Sequence, residues 1–225
     1  MKPLVIFGAG KVSEVIVDSI QKDARYEIVA ICCDEEFTGT QKDFLGLPLI
    51  SLNELKIQFP PKSVEVLVAI GYHHSNRIRA EKVAMLKSLG YCGARYIAGS
   101  AQVSKPENIG EFSIILQNAT VQAGAVLGEN VIVWDHGFVG HHATVDSHCW
   151  INTGVIICGN AHVKEYCYFG VNATVAHNIT VGRFCFIGAN ALISQNAAEQ
   201  GVYIVPGTER YRLDSDRFWE FSKHL

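Results

Sequence analysis

The sequence has no Cys-x-x-Cys pair, although it carries seven cysteines, at 32, 33, 92, 149, 158, 167 and 185. An odd count without paired spacing excludes a disulfide framework and a zinc ribbon, and predicts reduced thiols. There is no excess of basic charge: 19 Lys and Arg stand against 22 Asp and Glu, a net −3. That removes the electrostatic basis for binding nucleic acid or an anionic membrane surface. There is no long apolar run either. The amino terminus, Met-Lys-Pro-Leu-Val-Ile-Phe-Gly-Ala-Gly, is too short for a signal segment or for a membrane span of about 20 residues, which predicts a cytoplasmic protein without membrane insertion. Proline is scarce, 6 against 20 glycines, and 48% of the residues are hydrophobic. This composition belongs to a soluble globular protein, and 225 residues suit one domain or two.

What is present divides the chain near residue 93. Leu4-Val5-Ile6-Phe7 reads as a buried strand stopped by Gly8-Ala9-Gly10, and Val12, Val15, Ile16 and Ile20 then fall on one helical face. Further strands are predicted at Ile28 to Cys33, near Pro48 to Ile50, and at Val64 to Ile70, with a helix around Arg77 to Leu89. Strands alternating with helices imply a parallel sheet that binds ligands at the carboxyl ends of its strands. A glycine turn opening a helix suits phosphate, because its N–H groups approach closely at the positive end of the helix. The spacing Gly8-x-Gly10-x-x-Ser13 lacks the third glycine of a dinucleotide fingerprint, and it also fits a tight turn that needs no ligand. Asp34 can accept from a ribose or a base N–H, or can cap a turn. About ninety residues are too few for a complete dinucleotide fold, so a mononucleotide is the better match.

From Ile97 to Ile193 an aliphatic or Phe residue stands at every sixth position, seventeen times without a miss. Four places later a small residue follows in most hexads, as at Ala101, Ala119, Ala143, Cys149, Ala161, Cys167, Ala173 and Cys185. Six is neither the helical period nor simple strand alternation. It suits short strands joined by turns, three hexads closing one triangular coil, with coils stacked ~4.8 Å apart and residues eighteen apart superposed. Cys149, Cys167 and Cys185 are then one inward column rather than catalytic thiols.

Phe169-Gly170-Val171-Asn172-Ala173-Thr174 and Ile187-Gly188-Ala189-Asn190-Ala191-Leu192 resemble the hexapeptide repeat of left-handed parallel β-helix acyltransferases. Joined to a Rossmann-like first part, the chain resembles the bacterial nucleotide-sugar O- and N-acyltransferases, such as the bacillosamine, perosamine and sialic-acid acetyltransferases. The expected organisation is a Rossmann-like α/β domain at 1–93, an all-β left-handed parallel β-helix at 94–198, and a capping tail at 199–225.

The resemblance implies a homotrimer with acetyl-CoA as co-substrate lying between adjacent prisms. A nucleotide-linked amino sugar, with UDP, dTDP or GDP as carrier, would be held by the first domain, in the synthesis of surface glycan and lipopolysaccharide precursors. It implies no metal. Val139-Gly140-His141-His142 matches the segment of the family's catalytic base and Cys158-Gly159-Asn160 that of its oxyanion donor, so the resemblance makes His141 the base and Gly159 the donor. Where the family carries an acid after the base this chain has His142; His142, Asp135 and Asp146 are the candidate partners of His141. By register His141 and His177 share a column two coils apart, ~9.6 Å, with Gly159 between them. Sugar-nucleotide contacts carry over to Gly8, Gly10, Lys11, Asp34 and Gly71, and acyl-CoA contacts to Trp150, Gly159, His177, Gly188 and Ala189. Three other readings remain open. One is a sugar O-acetyltransferase of the same fold. Another is a gamma-type carbonic anhydrase using His136, His141 and His177 on zinc, and the last is a trimeric nucleotide-sugar sensor without catalysis.

Overall fold

The computed structural model describes residues 1–23, 25–39 and 42–223. The first domain is built on β1 (Lys2–Phe7), followed by α1 (Lys11–Asp23), β2 (Tyr26–Cys33), α2 (Glu35–Thr38), β3 (Asp43–Phe44), β4 (Leu47–Ser51), α3 (Leu52–Gln58), β5 (Glu65–Val68), α4 (Arg77–Ser88) and β6 (Cys92–Gly93). The sheet order is β3-β4-β2-β1-β5-β6, parallel except for the β3–β4 pair. Val5 and Phe7 face one layer of core while Leu4 and Ile6 face the other, so β1 is buried on both sides. β3 and β6 go beyond the strands legible in the sequence. At two residues each they are too short to show alternation and exist only through pairing with β4 and β5.

After β6 the chain winds into a left-handed parallel β-helix of two-residue strands. They form three faces: a first through Ile114–Ile115, Ile132–Val133, Trp150–Ile151, Tyr168–Phe169 and Phe186–Ile187; a second through Thr120–Val121, Phe138–Val139, Ile156–Ile157, Thr174–Val175 and Leu192–Ile193; and a third through Val126–Leu127, Thr144–Val145, His162–Val163 and Thr180–Val181. Each of these strands except the last of its face pairs in parallel with the one eighteen residues on, as in Thr120↔Phe138, Thr144↔His162 and Trp150↔Tyr168. The sixth-position residues and the Cys149, Cys167 and Cys185 column fill one interior core. The thiols are buried, and the hydrogen bond from each to the preceding cysteine of the column, with burial adding to it, pushes Cys167 and Cys185 upward, so they stay protonated packing groups. Each coil turns its three corners through the left-handed region. φ is positive at every sixth residue from Phe112 to Asn190, where Asn, Gly and His predominate.

The first domain lies on the first face. The outward residues Ile114, Ile132 and Trp150 join Leu4, Ile6, Ile16 and Ile20 in one apolar cluster. At the edge between the third and first faces, α4 meets a column of backbone carbonyls. Arg79, fully buried, donates to the carbonyls of Asn130 (3.5 Å), His148 (3.2 Å) and Cys149 (3.4 Å) and to Oδ1 of Asn76 (3.1 Å). Asn76 donates in turn to Tyr166 and Cys167. Burial pushes the Arg79 guanidinium down, and no carboxylate pairs with it among the described residues.

The tail departs from a simple cap. Val202–Tyr203 adds a last rung on Phe186–Ile187, with Tyr203 against the end of the core. The helix α5 (Ser215–Ser222), capped by Asp214, leaves Phe218, Trp219 and Phe221 exposed, with Phe218 edge-on to Tyr211 of the same tail. Residues 224 and 225 of the expected tail lie outside the described residues. No helix among the described residues is long and apolar enough to cross a membrane.

Burial and the neighbouring Arg79 push His148 down to about 4, and its Nδ1 accepts from Asn130 at 2.9 Å. The unfolded chain protonates this ring below an ordinary value of about 6.5, whereas the folded chain does so only near 4. Its contribution to stability is complete above pH ~6.5 and is lost as the pH falls toward 4. Thermal unfolding measured across this window should show a decline in wild type that is shallower in His148→Asn. Parallel curves would contradict this account of His148.

Candidate functional site

Two places gather the chemistry-bearing residues. The first is a cavity of about 610 Å³ at the carboxyl ends of β1, β2 and β5, lined by Gly8, Gly10, Lys11, Asp34, Phe37, Phe44, Leu49, Gly71, His73, Ile78 and Lys82. All five positions expected to contact a sugar nucleotide therefore share one cavity. Gly8 has φ +128°, and a methyl group there would stand 2.6 Å from the Ala69 carbonyl oxygen, so β1 and β5 can approach only with glycine at this point. Gly10 faces open space. Ser13 Oγ, buried, donates to the Gly8 carbonyl at 2.7 Å and locks the turn to α1. Asp34 forms a half-buried ion pair with Lys82 of α4 at 2.7 Å. Lys82 escaped the sequence reading; its signal was its place one turn beyond Arg79, on the face of α4 that packs inward. One wall of the cavity is apolar, through Phe37, Phe44 and Leu49, and the other offers the Asp34–Lys82 pair, Lys11 and the N–H groups of the glycine turn. That combination has the chemistry to take a flat base beside a phosphorylated group.

The second place is the edge between the second and third faces, opposite the face covered by the first domain. His141, His142 and His177 are exposed there. His141 is fixed through its backbone: its N–H donates to Gln122 Oε1 at 3.0 Å and its carbonyl accepts from Asn160 N–H at 3.0 Å. A methyl group on Gly159 would stand 2.5 Å from His141 Nε2, so the ring rests in the space that glycine leaves. The His141 and His177 rings close over this gap to 6.3 Å between centroids, nearer than the coil spacing alone suggests. The Gly159 N–H donates to no acceptor among the described residues. His141 Nδ1 lies 3.3 Å from His142 Nδ1. Gln122 was missed although the eighteen-residue register stacks it under Gly140, next to His141.

The remaining candidates are elsewhere. Asp146 is taken by His162 at 3.0 Å and Lys164 at 3.9 Å, and Asp135 stands at the edge between the first and second faces, so neither reaches His141. Trp150 is corrected as an acyl-CoA contact. It is 2% exposed, lies under the first domain between Trp134 and Tyr72, and its indole N–H donates to Asn152. Gly188 and Ala189 also lie on the edge between the first and second faces, not with His177. A methyl group on Gly188 would stand 3.1 Å from Tyr203 O and Ile204 Cγ2, so glycine serves closure of the last rung. His136 is on that same edge, apart from His141, and among the described residues no three His, Cys, Asp or Glu side chains converge as metal ligands.

The family model for the PglD N-terminal domain matches residues 3–86. That match falls within the first domain. Among solved structures, the acetyltransferase domain of PglB from Neisseria gonorrhoeae FA1090, in complex with acetyl coenzyme A, is 28% identical. The match covers 89% of this chain and 95% of that one with a TM-score of 0.78. A His-to-Asn variant of perosamine N-acetyltransferase from Caulobacter crescentus, in complex with CoA and GDP-perosamine, is 21% identical over 94% of this chain and 98% of that one, TM-score 0.78. WeeI from Acinetobacter baumannii AYE is 18% identical over 90% and 96%, TM-score 0.59. At these identities the last two establish the fold. No curated protein sequence matches the chain. The likeness to the acetyltransferase domain of PglB thus extends over both domains.

The glycine turn yields a paired prediction. Gly8→Ala should lower stability by about 2 kcal/mol or more, through the clash and the positive φ, while Gly10→Ala stays within ~1 kcal/mol of wild type. Urea unfolding measures both, and equal midpoints for the two variants would refute the assignment of Gly8 to a forced close approach.

Proposed function

We propose that the protein transfers an acetyl group from acetyl-CoA to the amino group of a nucleotide-linked amino sugar, working as a homotrimer. The observation that carries this reading is His141 Nε2 resting against Gly159, beside an N–H without an acceptor. A base and an oxyanion donor at one point are what aminolysis of a thioester needs. The sugar amine attacks the thioester carbonyl, and the oxygen that becomes negative is received by the Gly159 N–H. His141 Nε2 takes the proton that the nitrogen loses. Collapse of the tetrahedral intermediate breaks the carbon–sulfur bond, and the same proton passes to the departing thiolate, giving free CoA and the amide. The first domain's cavity supplies a place for the nucleotide, and Gly8, Gly10, Lys11, Asp34 and Gly71 are the proposed contacts.

The topology supports the need for other copies. The nucleotide cavity belongs to the domain on the first face, while His141 stands on the edge opposite that face. The second face, bordering the His141 edge, carries outward Ile156 and Leu192, 41% and 66% exposed. A neighbour packed there would bury them and bring its own nucleotide cavity toward this His141, with acetyl-CoA along the seam. In that arrangement His177 and Gly159 line the acyl-CoA path.

Free CoA, followed with a thiol reagent, should appear only when acetyl-CoA and a nucleotide-linked amino sugar are both supplied. His141→Asn should reduce turnover at least 10³-fold, and Gly159→Ala about 10²-fold by displacing the ring. Refolding inactive His141→Asn together with inactive Lys82→Glu should restore part of the activity, because mixed trimers contain seams with both residues intact. Absence of CoA release across a panel of UDP-, dTDP- and GDP-linked amino sugars would defeat the assignment.

A further inference from the structure

We propose that His142 is the positioning residue of His141: its neutral imidazole accepts the Nδ1–H of His141 and thereby reserves Nε2 for the transferred proton. This rests on the acyl-transfer reading above and specifies how its base is set. Two imidazole nitrogens 3.3 Å apart hold one proton between them, since two N–H groups repel and two lone pairs do not bond. His141 Nε2 is the atom against Gly159, so it accepts a proton only when His141 carries its own hydrogen on Nδ1. His142 must then present Nδ1 as a lone pair and carry its hydrogen on Nε2.

The coil holds His142 in this role. Its φ is +57°, its N–H donates to the Ala123 carbonyl at 3.1 Å, and its ring lies over Gly124, where a methyl group would be 2.6 Å from Cδ2. The two rings stand at 75°, edge to face rather than stacked. From the neighbouring coils the groups facing His141 are Gln122, which holds its backbone, Gly159 and His177; among the described residues no carboxylate is bonded to it, and Asp146 is held by His162 and Lys164.

A neutral partner has a chemical consequence that a carboxylate would not. When His141 takes the amine's proton, the Nδ1–H bond to His142 becomes charge-assisted, and when the proton passes to the thiolate it reverts; His142 neither gains nor loses a proton over the cycle. A carboxylate in the same place would favour the protonated base and withdraw it from use at mildly acidic pH.

The test uses the full-length protein labelled with ¹⁵N-histidine. Long-range proton–nitrogen spectra near pH 8, without substrate, should show His141 protonated on Nδ1 and His142 on Nε2. His142→Phe should release the His141 tautomer and lower kcat about 10- to 100-fold, with KM for acetyl-CoA within about twofold. His142→Gln, which restores an acceptor oxygen, should recover most of the loss. His142→Glu should move the acid limb of kcat/KM upward by about one pH unit. His141 protonated on Nε2 in wild type would overturn the pairing, as would unchanged kcat in His142→Phe or an unmoved acid limb in His142→Glu. The spectra need no turnover, so absence of transfer with every acceptor would count against the reaction while the tautomers still judge His142.

Discussion

The eighteen-residue register of the coils is the constraint on which everything else depends. It is set by the inward aliphatic and small residues and by one left-handed residue per corner. Within that frame the strands' N–H groups find carbonyls on the next coil, and the corner residue in the left-handed region donates to the coil below, as His142 does to Ala123 and Asn160 to His141. The residue just before it has no such partner, unless a side chain provides one, as Gln122 does for His141. At Gly159 no side chain provides one. A free N–H at a corner is thus a by-product of coil geometry, and glycine at that corner makes it accessible. The proposed oxyanion site required no departure from the fold, only the absence of a side chain.

The joint between the domains uses the same register in another way. Corner carbonyls eighteen residues apart form a column, and Arg79 and Asn76 reach successive members of it. A buried guanidinium without a carboxylate is ordinarily costly, and here several carbonyl dipoles and the Trp150 ring, 5.5 Å away, distribute the compensation. Removing either domain would leave either a cation or a column of acceptors unsatisfied. This edge also carries bulky residues in the left-handed region, Phe112 and Tyr166, where Asn or Gly would be easier. Phe112 is completely buried against Gly93 and the first domain's core, so tertiary packing outweighs the local backbone preference.

The coils were legible because their signal is inward and periodic. Seventeen hexads obey one rule, and a single misplacement would open the core. The first domain's main strands were legible for the same reason, through uninterrupted apolar runs. Outward positions follow no such rule. Ile114, Ile132 and Trp150 differ from Ile156 and Leu192 only in being covered, and the sequence does not say which face receives a domain. That is why Trp150 and the pair Gly188 and Ala189 were grouped with His177 when they stand on other faces or edges. Asp135 and Asp146 failed similarly: nearness along the chain to His141 means little when each hexad turns a corner. The Asp34–Lys82 pair spans two elements and left no periodic trace.

The proposed chemistry inherits its demand for neighbours from the same geometry. In a prism of three faces each edge is opposite one face, and the first domain occupies the face opposite His141. A sugar held in that domain's cavity therefore cannot be served by the imidazole of its own chain without crossing the filled core. Packing copies edge to face, as proposed, would resolve this without any rearrangement, because the second face presents Ile156 and Leu192 outward beside that edge. It also explains how a base can be exposed in one chain yet work in a dry site. In the proposed assembly the partner would displace the water around His141, and a neutral His142 would keep that desolvation cheaper than a buried carboxylate.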